Sequence, residues 1–272
     1  MERQFLNLIL FTCLILSSCQ QLPEKKEVVS VAEIQNNQQT TQIDNDKLIS
    51  YYSDIWDYIL MKSSYSSREL DEQTLFYMNQ HLKDVDKFKE YLNDSYYFLF
   101  FVIQEIEKAD LPIELAFLPY IESNYDPFSI SSSGAVGMWQ FMPRTGRLYE
   151  LERSWWNEDR HDPFRSTEAA IKYLKYLYQR FDNDLYHTLA AYNAGPSFLD
   201  RQIKKNQRRG LQADFWSLDL PAQTKNYVPK FIALKELIFN ANQYEIELPY
   251  IPYDPVVAKI EIPGQVEVLT LS

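Results

Sequence analysis

Glycine is the residue this chain does without: only 6 occur in 272 positions, where average usage of about 7% would supply roughly 19. Hairpins, dinucleotide-binding loops and propeller blades consume glycine at positive φ and at close backbone approaches. A chain so short of it is steered toward helices joined by ordinary connections. The few glycines present become informative in turn, because Gly134, Gly137, Gly146 and Gly195 fall within one quarter of the chain. Gly210 and Gly264 lie outside that quarter.

Apolar spacing agrees with a helical body. Leu48, Tyr52, Ile55, Trp56, Ile59 and Leu60 recur at three- and four-residue steps, which predicts a helix capped by Asn45 or Asp46. A second helix is predicted over 69–82, and a third over 96–109, capped by Ser95 and apolar nearly all round, hence central. Pro112 suits the first turn of a helix reaching about residue 123. Ser166-Thr167-Glu168 opens another. Residues 184–194 form one that ends at Gly195 as a left-handed cap, and Pro196 starts its successor at a sharp corner. A last helix from Pro221 to about 241 contains Pro229, which should kink or break it. Residues 246–272 carry β-like pieces (VVAKIEI, QVEVLTL) beyond this body. With 46% hydrophobic and 15% aromatic residues, one sizeable core can be buried and disorder of the whole is excluded.

The amino terminus reads as an address. Residues 5–16 are a short apolar run after Arg3, too short for the roughly 20 residues a span requires, followed by Leu16-Ser17-Ser18-Cys19. That tetrad resembles the lipobox of bacterial lipoproteins, which makes residues 1–18 a signal peptide and Cys19 an acyl anchor. Cleavage there would remove Cys13, leaving one cysteine and no intramolecular disulfide. Gln20 after the cysteine resembles the outer-membrane sorting pattern, facing the periplasm. Residues 19–47 are Gln/Asn-rich and aperiodic, a linker with a root-mean-square reach of roughly 30 Å. The predicted organisation continues with an N-terminal helical region at 48–110, a catalytic domain at 111–245 and an extension at 246–272.

A net charge of −11 argues against a nucleic-acid partner. The sequence has no CxxC pair, no GxSxG elbow, no P-loop and no GxGxxG, and its three histidines, His81, His161 and His187, lack metal-ligand spacing. No metal or cofactor is therefore expected. What stands out is Glu122, at the carboxyl end of an apolar helix and followed by a Ser-rich segment and the glycine cluster. A carboxyl pressed against apolar walls has its ionised form desolvated, so its pKa rises and it can donate a proton near neutrality.

The residues around Glu122 carry a resemblance. Glu122-Ser123, Ser131, Gly134-Ala135 with Gly137-Met138-Trp139-Gln140-Phe141-Met142-Pro143, then Ala191-Tyr192-Asn193-Ala194-Gly195, then Thr224-Lys225-Asn226-Tyr227-Val228 follow in order the motifs of the lytic transglycosylases of goose-lysozyme-like type (glycoside hydrolase family 23). The likeness runs from about residue 50 to 260. Met138 stands where Leu is more usual, and no LysM repeat follows the matching stretch. The resemblance implies an all-α, lysozyme-like domain within that α+β superfamily, with extra N-terminal helices and a short β-like tail. It also implies cleavage of the MurNAc–GlcNAc β-1,4 bond of peptidoglycan without water as nucleophile. By position, Glu122 would protonate the glycosidic oxygen and then deprotonate the MurNAc 6-hydroxyl that attacks C1, giving a 1,6-anhydromuramoyl end. The implied partners are glycan strands, and a membrane through Cys19, for a monomeric protein.

The remaining motif residues have physical roles to weigh. Gln140 and Asn193 are amides able to donate to acetamido and lactyl oxygens, or to satisfy loop backbone. Tyr227 can aim a phenol at the reacting centre or at Glu122. Phe141, Met142 and Tyr192 offer apolar faces for sugars or fill the core. Ser123 and Ser131 bond the carboxyl or the sugar, or cap loops. Asp126 is either a second carboxylate holding a water, which would make a hydrolytic muramidase, or an Asx turn ending the helix, which is the favoured reading. The reading from another class is a catalytically silent cell-wall-binding lipoprotein.

Overall fold

The computed structural model describes residues 54–63 and 70–257. Within them the chain forms ten α-helices and four 3-10 turns, and its β pairing is limited to isolated bridges. The helices are α1 (Ile55–Lys62), α2 (Glu72–Leu82), α3 (Val85–Asn93), α4 (Leu99–Lys108), α5 (Leu118–Ser123), α6 (Pro143–Leu148), α7 (Pro163–Arg180), α8 (Leu185–Ala194), α9 (Pro196–Arg208) and α10 (Ala222–Phe239). The expected all-α class is what is observed. Helix α10 packs on α2 and α8, α8 also packs on α7 and α9, and α4 lies against α7 and the 3-10 turn at Ile113–Phe117.

Several boundaries differ from the sequence expectation. Aspartate supplies the caps: Asp54, Asp71, Asp84, Asp162 and Asp184 each accept a backbone N–H of the first turn of α1, α2, α3, α7 and α8. Helix α1 therefore starts at Ile55, and Leu48, Tyr52 and the expected caps Asn45 and Asp46 lie outside the described residues. Leu60, expected on the apolar stripe, is exposed. Helix α7 begins three residues before Ser166, because Asp162 caps it and Pro163 fits the first turn. Ser95 caps nothing with its side chain; its hydroxyl donates to the Leu92 carbonyl and accepts from Tyr120. The short α3 was not foreseen, since only Phe88 and Leu92 of it are buried.

The predicted helix after Pro112 divides in two. Residues 113–117 make a 3-10 turn and residues 118–123 an α-helix. Pro119 is the cause, because it has no N–H to return to the previous turn. Pro229, by contrast, sits inside α10 without ending it. Gly195 has φ +86° and ψ 138°, a region open essentially to glycine alone, rather than the left-handed helical cap expected. Of the tail, Ile246, Ile251 and Tyr253 are buried in the common core. Within 246–257 the β character is one bridge, Pro252 to Asp54, and the rest of the β-like pieces lies outside the described residues. No described helix is long and apolar enough to cross a membrane, and Cys19 and the linker are likewise outside the described residues.

Candidate active site

Helix α5 is only 6 residues long, and three devices hold its end in place. Asn124 turns left-handed at φ 56° and returns its N–H to the Pro119 and Tyr120 carbonyls. The Tyr120 hydroxyl donates to the Ser95 hydroxyl at 2.6 Å, and Tyr125 donates to the Ala116 carbonyl at 2.6 Å, with the two rings edge to face at 4.6 Å. Asp126 then accepts the Phe128 N–H at 2.8 Å in the expected Asx turn, its side chain exposed. The turn leaves Glu122 at the penultimate position of a fixed helix.

Glu122 meets Tyr227 of α10, 105 residues away, whose hydroxyl donates to Oε1. Burial pushes the Glu122 carboxyl up to about 7, while the Tyr227 hydrogen bond and the Lys230 ammonium pull it partly back. Burial, with the neighbouring Glu122 charge added, holds the Tyr227 phenol well above its ordinary range, so it stays a donor. Tyr192 of α8 also faces Glu122, its ionisation opposed first by burial and then by that carboxyl. Its hydroxyl donates to the Trp139 carbonyl at 2.8 Å. With Oε1 accepting from Tyr227, Oε2 is left as the oxygen that carries a transferable proton.

The glycine-bearing loop forms the next wall. Bridges Ile130 to Val136 and Val136 to Phe141 fold it on itself, and Gly137 stands at φ +82° where a Cβ would lie 1.8 Å from the Arg160 carbonyl oxygen. Arg160 clamps the loop, donating from Nη1 to the Gly134 and Phe141 carbonyls while it forks onto Glu158. Trp139 is fully buried, with its indole N–H on Thr167 at 2.9 Å. The loop is thereby a rigid part of the core.

The structure sorts the sequence candidates into groups. Ser123 donates to the Met138 carbonyl at 2.8 Å, so it ties α5 to the loop. Asn193 receives the Thr224 hydroxyl on Oδ1 at 2.9 Å, which leaves its Nδ2 free to donate, as expected of that amide. Gln140 differs: its amide N–H groups go to the Gly137 carbonyl at 2.8 Å and the Ser129 carbonyl at 3.3 Å, so Oε1 remains as an acceptor rather than the donor expected. The reason is local, since Gln140 has φ 48° at a tight turn whose carbonyls face its side chain. Ser131 caps the loop, accepting the Ala135 N–H at 2.9 Å and pairing with Ser133. Phe141 is a core residue at 2% exposure and presents no face for a sugar, whereas Met142 is 43% exposed.

Sequence reading missed three supporting groups. Thr224, which orients Asn193, lay in a quoted motif without an assigned role. Lys230 follows Tyr227 by less than one helical turn, a spacing that could have flagged it. Arg160 carried no local signal, because its loop partners are 19 and 26 residues away. Among the described residues no group of three or more His, Cys, Asp and Glu is placed to hold a metal ion.

A helical body thus sets one protonatable carboxyl among phenols beside a glycine-pinned loop, the layout of a proton-transfer site. In comparison with known proteins, this chain matches the Transglycosylase SLT domain over residues 101–215. It is 36% identical over 188 residues to Membrane-bound lytic murein transglycosylase D of Escherichia coli (strain K12), covering 68% of this chain and 42% of that protein. It is 29% identical over 117 residues to Soluble lytic murein transglycosylase of the same organism, covering 41% of this chain and 18% of that one. The chain thus spans less than half the length of either relative. Among solved structures, the 70 kDa soluble lytic transglycosylase from Escherichia coli aligns at a TM-score of 0.43 and 21% identity, covering 69% of this chain and 32% of that chain.

Proposed function

We propose that the protein is a peptidoglycan lytic transglycosylase that cleaves the MurNAc–GlcNAc β-1,4 bond non-hydrolytically. The observation that carries the reading is the Glu122 carboxyl, raised to about 7 by burial and held through Oε1 by the Tyr227 hydroxyl. The family match over residues 101–215 supports the substrate class.

The chemistry follows from one carboxyl used twice. Glu122 gives its Oε2 proton to the glycosidic oxygen as the C1–O bond breaks, and the GlcNAc side leaves as an alcohol. The substrate's own acetamido group shields the cationic C1, as in substrate-assisted glycosidases. Glu122, now a carboxylate steadied by Tyr227 and Lys230, takes the proton of the MurNAc 6-hydroxyl while that oxygen bonds to C1. The proton returns to Glu122, no water is consumed, and the product ends in a 1,6-anhydro ring. Asp126 is accounted for as a turn residue, its Oδ1 accepting the Phe128 N–H on an exposed side chain, which favours this reading over hydrolysis.

Asn193 Nδ2 and Gln140 Oε1 supply a donor and an acceptor of the kinds an acetamido group needs. Met142 and Tyr192 supply apolar contact, and Ser123 and Ser131, bonded to the Met138 carbonyl and the Ala135 N–H, hold the loop rather than touch sugar. Cys19 would anchor the enzyme in the cell envelope, as an outer-membrane lipoprotein facing the periplasm, acting as a monomer on glycan strands. The lipobox motif and the membrane-bound relative support that placement. The test is digestion of purified sacculi: Glu122→Gln should abolish solubilisation while binding is retained. Turnover that survives Glu122→Gln overturns the assignment, and binding without turnover by the unaltered chain returns it to a silent wall-binding protein.

A further inference from the structure

Two tryptophans stand out by their exposure. Trp155 and Trp156 are 88% and 90% exposed, whereas the indole N–H groups of Trp56, Trp139 and Trp216 are all taken by protein acceptors. Apolar residues of this size are rarely left open as a pair without a partner. They flank a groove of about 560 Å³ that Ile130, Val136, Ser154, Asn157 and His161 also line. Phe128 and Ile130, 74% and 66% exposed, extend the apolar rim, and Phe128 lies 5.9 Å from the His161 ring.

The polar lining tells which chemistry fits. The Ser154 hydroxyl oxygen accepts the N–H groups of Trp156 and Asn157, so its own proton is left to donate. Asn157 gives its amide N–H to Asp159, which leaves Oδ1 to accept. One donor and one acceptor beside aromatic faces complement an acetamido group, whose N–H and C=O ask for that pair. Of the charged groups lining the groove, Arg160 forks onto Glu158 at 2.7 Å and Arg153 reaches the same carboxylate at 3.4 Å. The groove shares a loop with the candidate active site. Gly134 and Val136 line it from the same loop whose Met138 and Trp139 carbonyls accept from Ser123 and Tyr192.

We propose that the Trp155–Trp156 groove is an accessory site for a β-1,4-linked N-acetylhexosamine strand, separate from the Glu122 centre. The site holds a length of glycan on the outer side of the loop while another length is presented to the carboxyl. A chain of net charge −11 gains nothing from attraction to the acidic wall, so aromatic stacking is the means of retention. The proposal rests on the glycan-cleaving reading given above.

The test uses the full chain carrying Glu122→Gln, which binds without cutting, and follows the five tryptophan indole signals by nitrogen-edited NMR as N-acetylchitohexaose is added. Trp155→Ala and Trp156→Ala identify two of the signals. Those two should move saturably, and the double variant should bind about tenfold more weakly. Cellohexaose, which lacks the acetamido group, should move them less at equal concentration. Signals that stay still with N-acetylchitohexaose overturn the proposal, as do signals that respond only to vesicles of phosphatidylethanolamine and phosphatidylglycerol, which would make the pair a membrane contact. Solubilisation of sacculi by the unaltered chain is measured separately. If it occurs while the two signals stay still, the accessory site fails and the catalytic reading stands; movement without solubilisation gives the reverse.

Discussion

A group that must release a proton and then recover it works best with a pKa near the ambient pH, and burial places Glu122 there, at about 7. The same burial costs stability. Glu122 retains its proton in the folded protein above the pH at which the unfolded chain loses it, so the folded state binds more protons and stability falls between roughly pH 4.5 and 7. Glu122→Gln should therefore raise the free energy of unfolding little at pH 5 and more at pH 8, by about 1–2 kcal/mol after allowance for solvent contact. An equal effect at both pH values contradicts the shift. Tyr227→Phe removes a donor that favours the ionised carboxyl. It should lower kcat and move the alkaline limb of kcat/KM to higher pH, where a limb that stays or moves down would argue that Tyr227 does not bond Glu122. Of this pair, only Glu122 was legible from its own surroundings. Tyr227 is 105 residues away and came into view through the ordered motifs. The reversed polarity of Gln140 was not legible at all, because it depends on a turn whose carbonyls face inward.

Elements show a different balance between what the chain states and what packing decides. Helices α4, α8 and α10 were legible from apolar spacing over many residues, whereas α3 was missed because nine residues bury two side chains. The caps were a second signal left unread: Asp54, Asp71, Asp84, Asp162 and Asp184 cap helices, whereas Ser95, expected as a cap, serves elsewhere. Asp162 accepts two N–H groups at the start of α7, so Asp162→Ala should cost about 1 kcal/mol in chemical denaturation. No loss would mean the cap contributes nothing. Gly137 is the stricter case, with both a positive φ and the Arg160 carbonyl where a Cβ would go. Gly137→Ala should cost more than about 3 kcal/mol and reduce turnover through displacement of the loop, and a variant of near-normal stability would contradict the geometry.

At the scale of the whole molecule, the amino- and carboxyl-terminal parts of the described chain close on each other. The Ile55 N–H bonds the Ile251 carbonyl and the Trp56 indole bonds the Pro249 carbonyl, each at 2.8 Å, and Tyr253 stacks on Tyr58 at 4.0 Å. Ile251→Ala should thus cost about 2–5 kcal/mol and leave unfolding a single transition. A separate early transition would show that the segment is an appendage. This closure was hidden from the sequence, where residues 246–272 read as β-like pieces, because the partners lie some two hundred residues apart.

The claim that one carboxyl performs both proton transfers is tested most directly by mass spectrometry of the fragments released from purified sacculi. Products ending in 1,6-anhydromuramic acid, lighter by one water than hydrolytic fragments and lost with Glu122→Gln, are the result expected. Fragments with reducing muramic acid ends, carrying the added water, would contradict it.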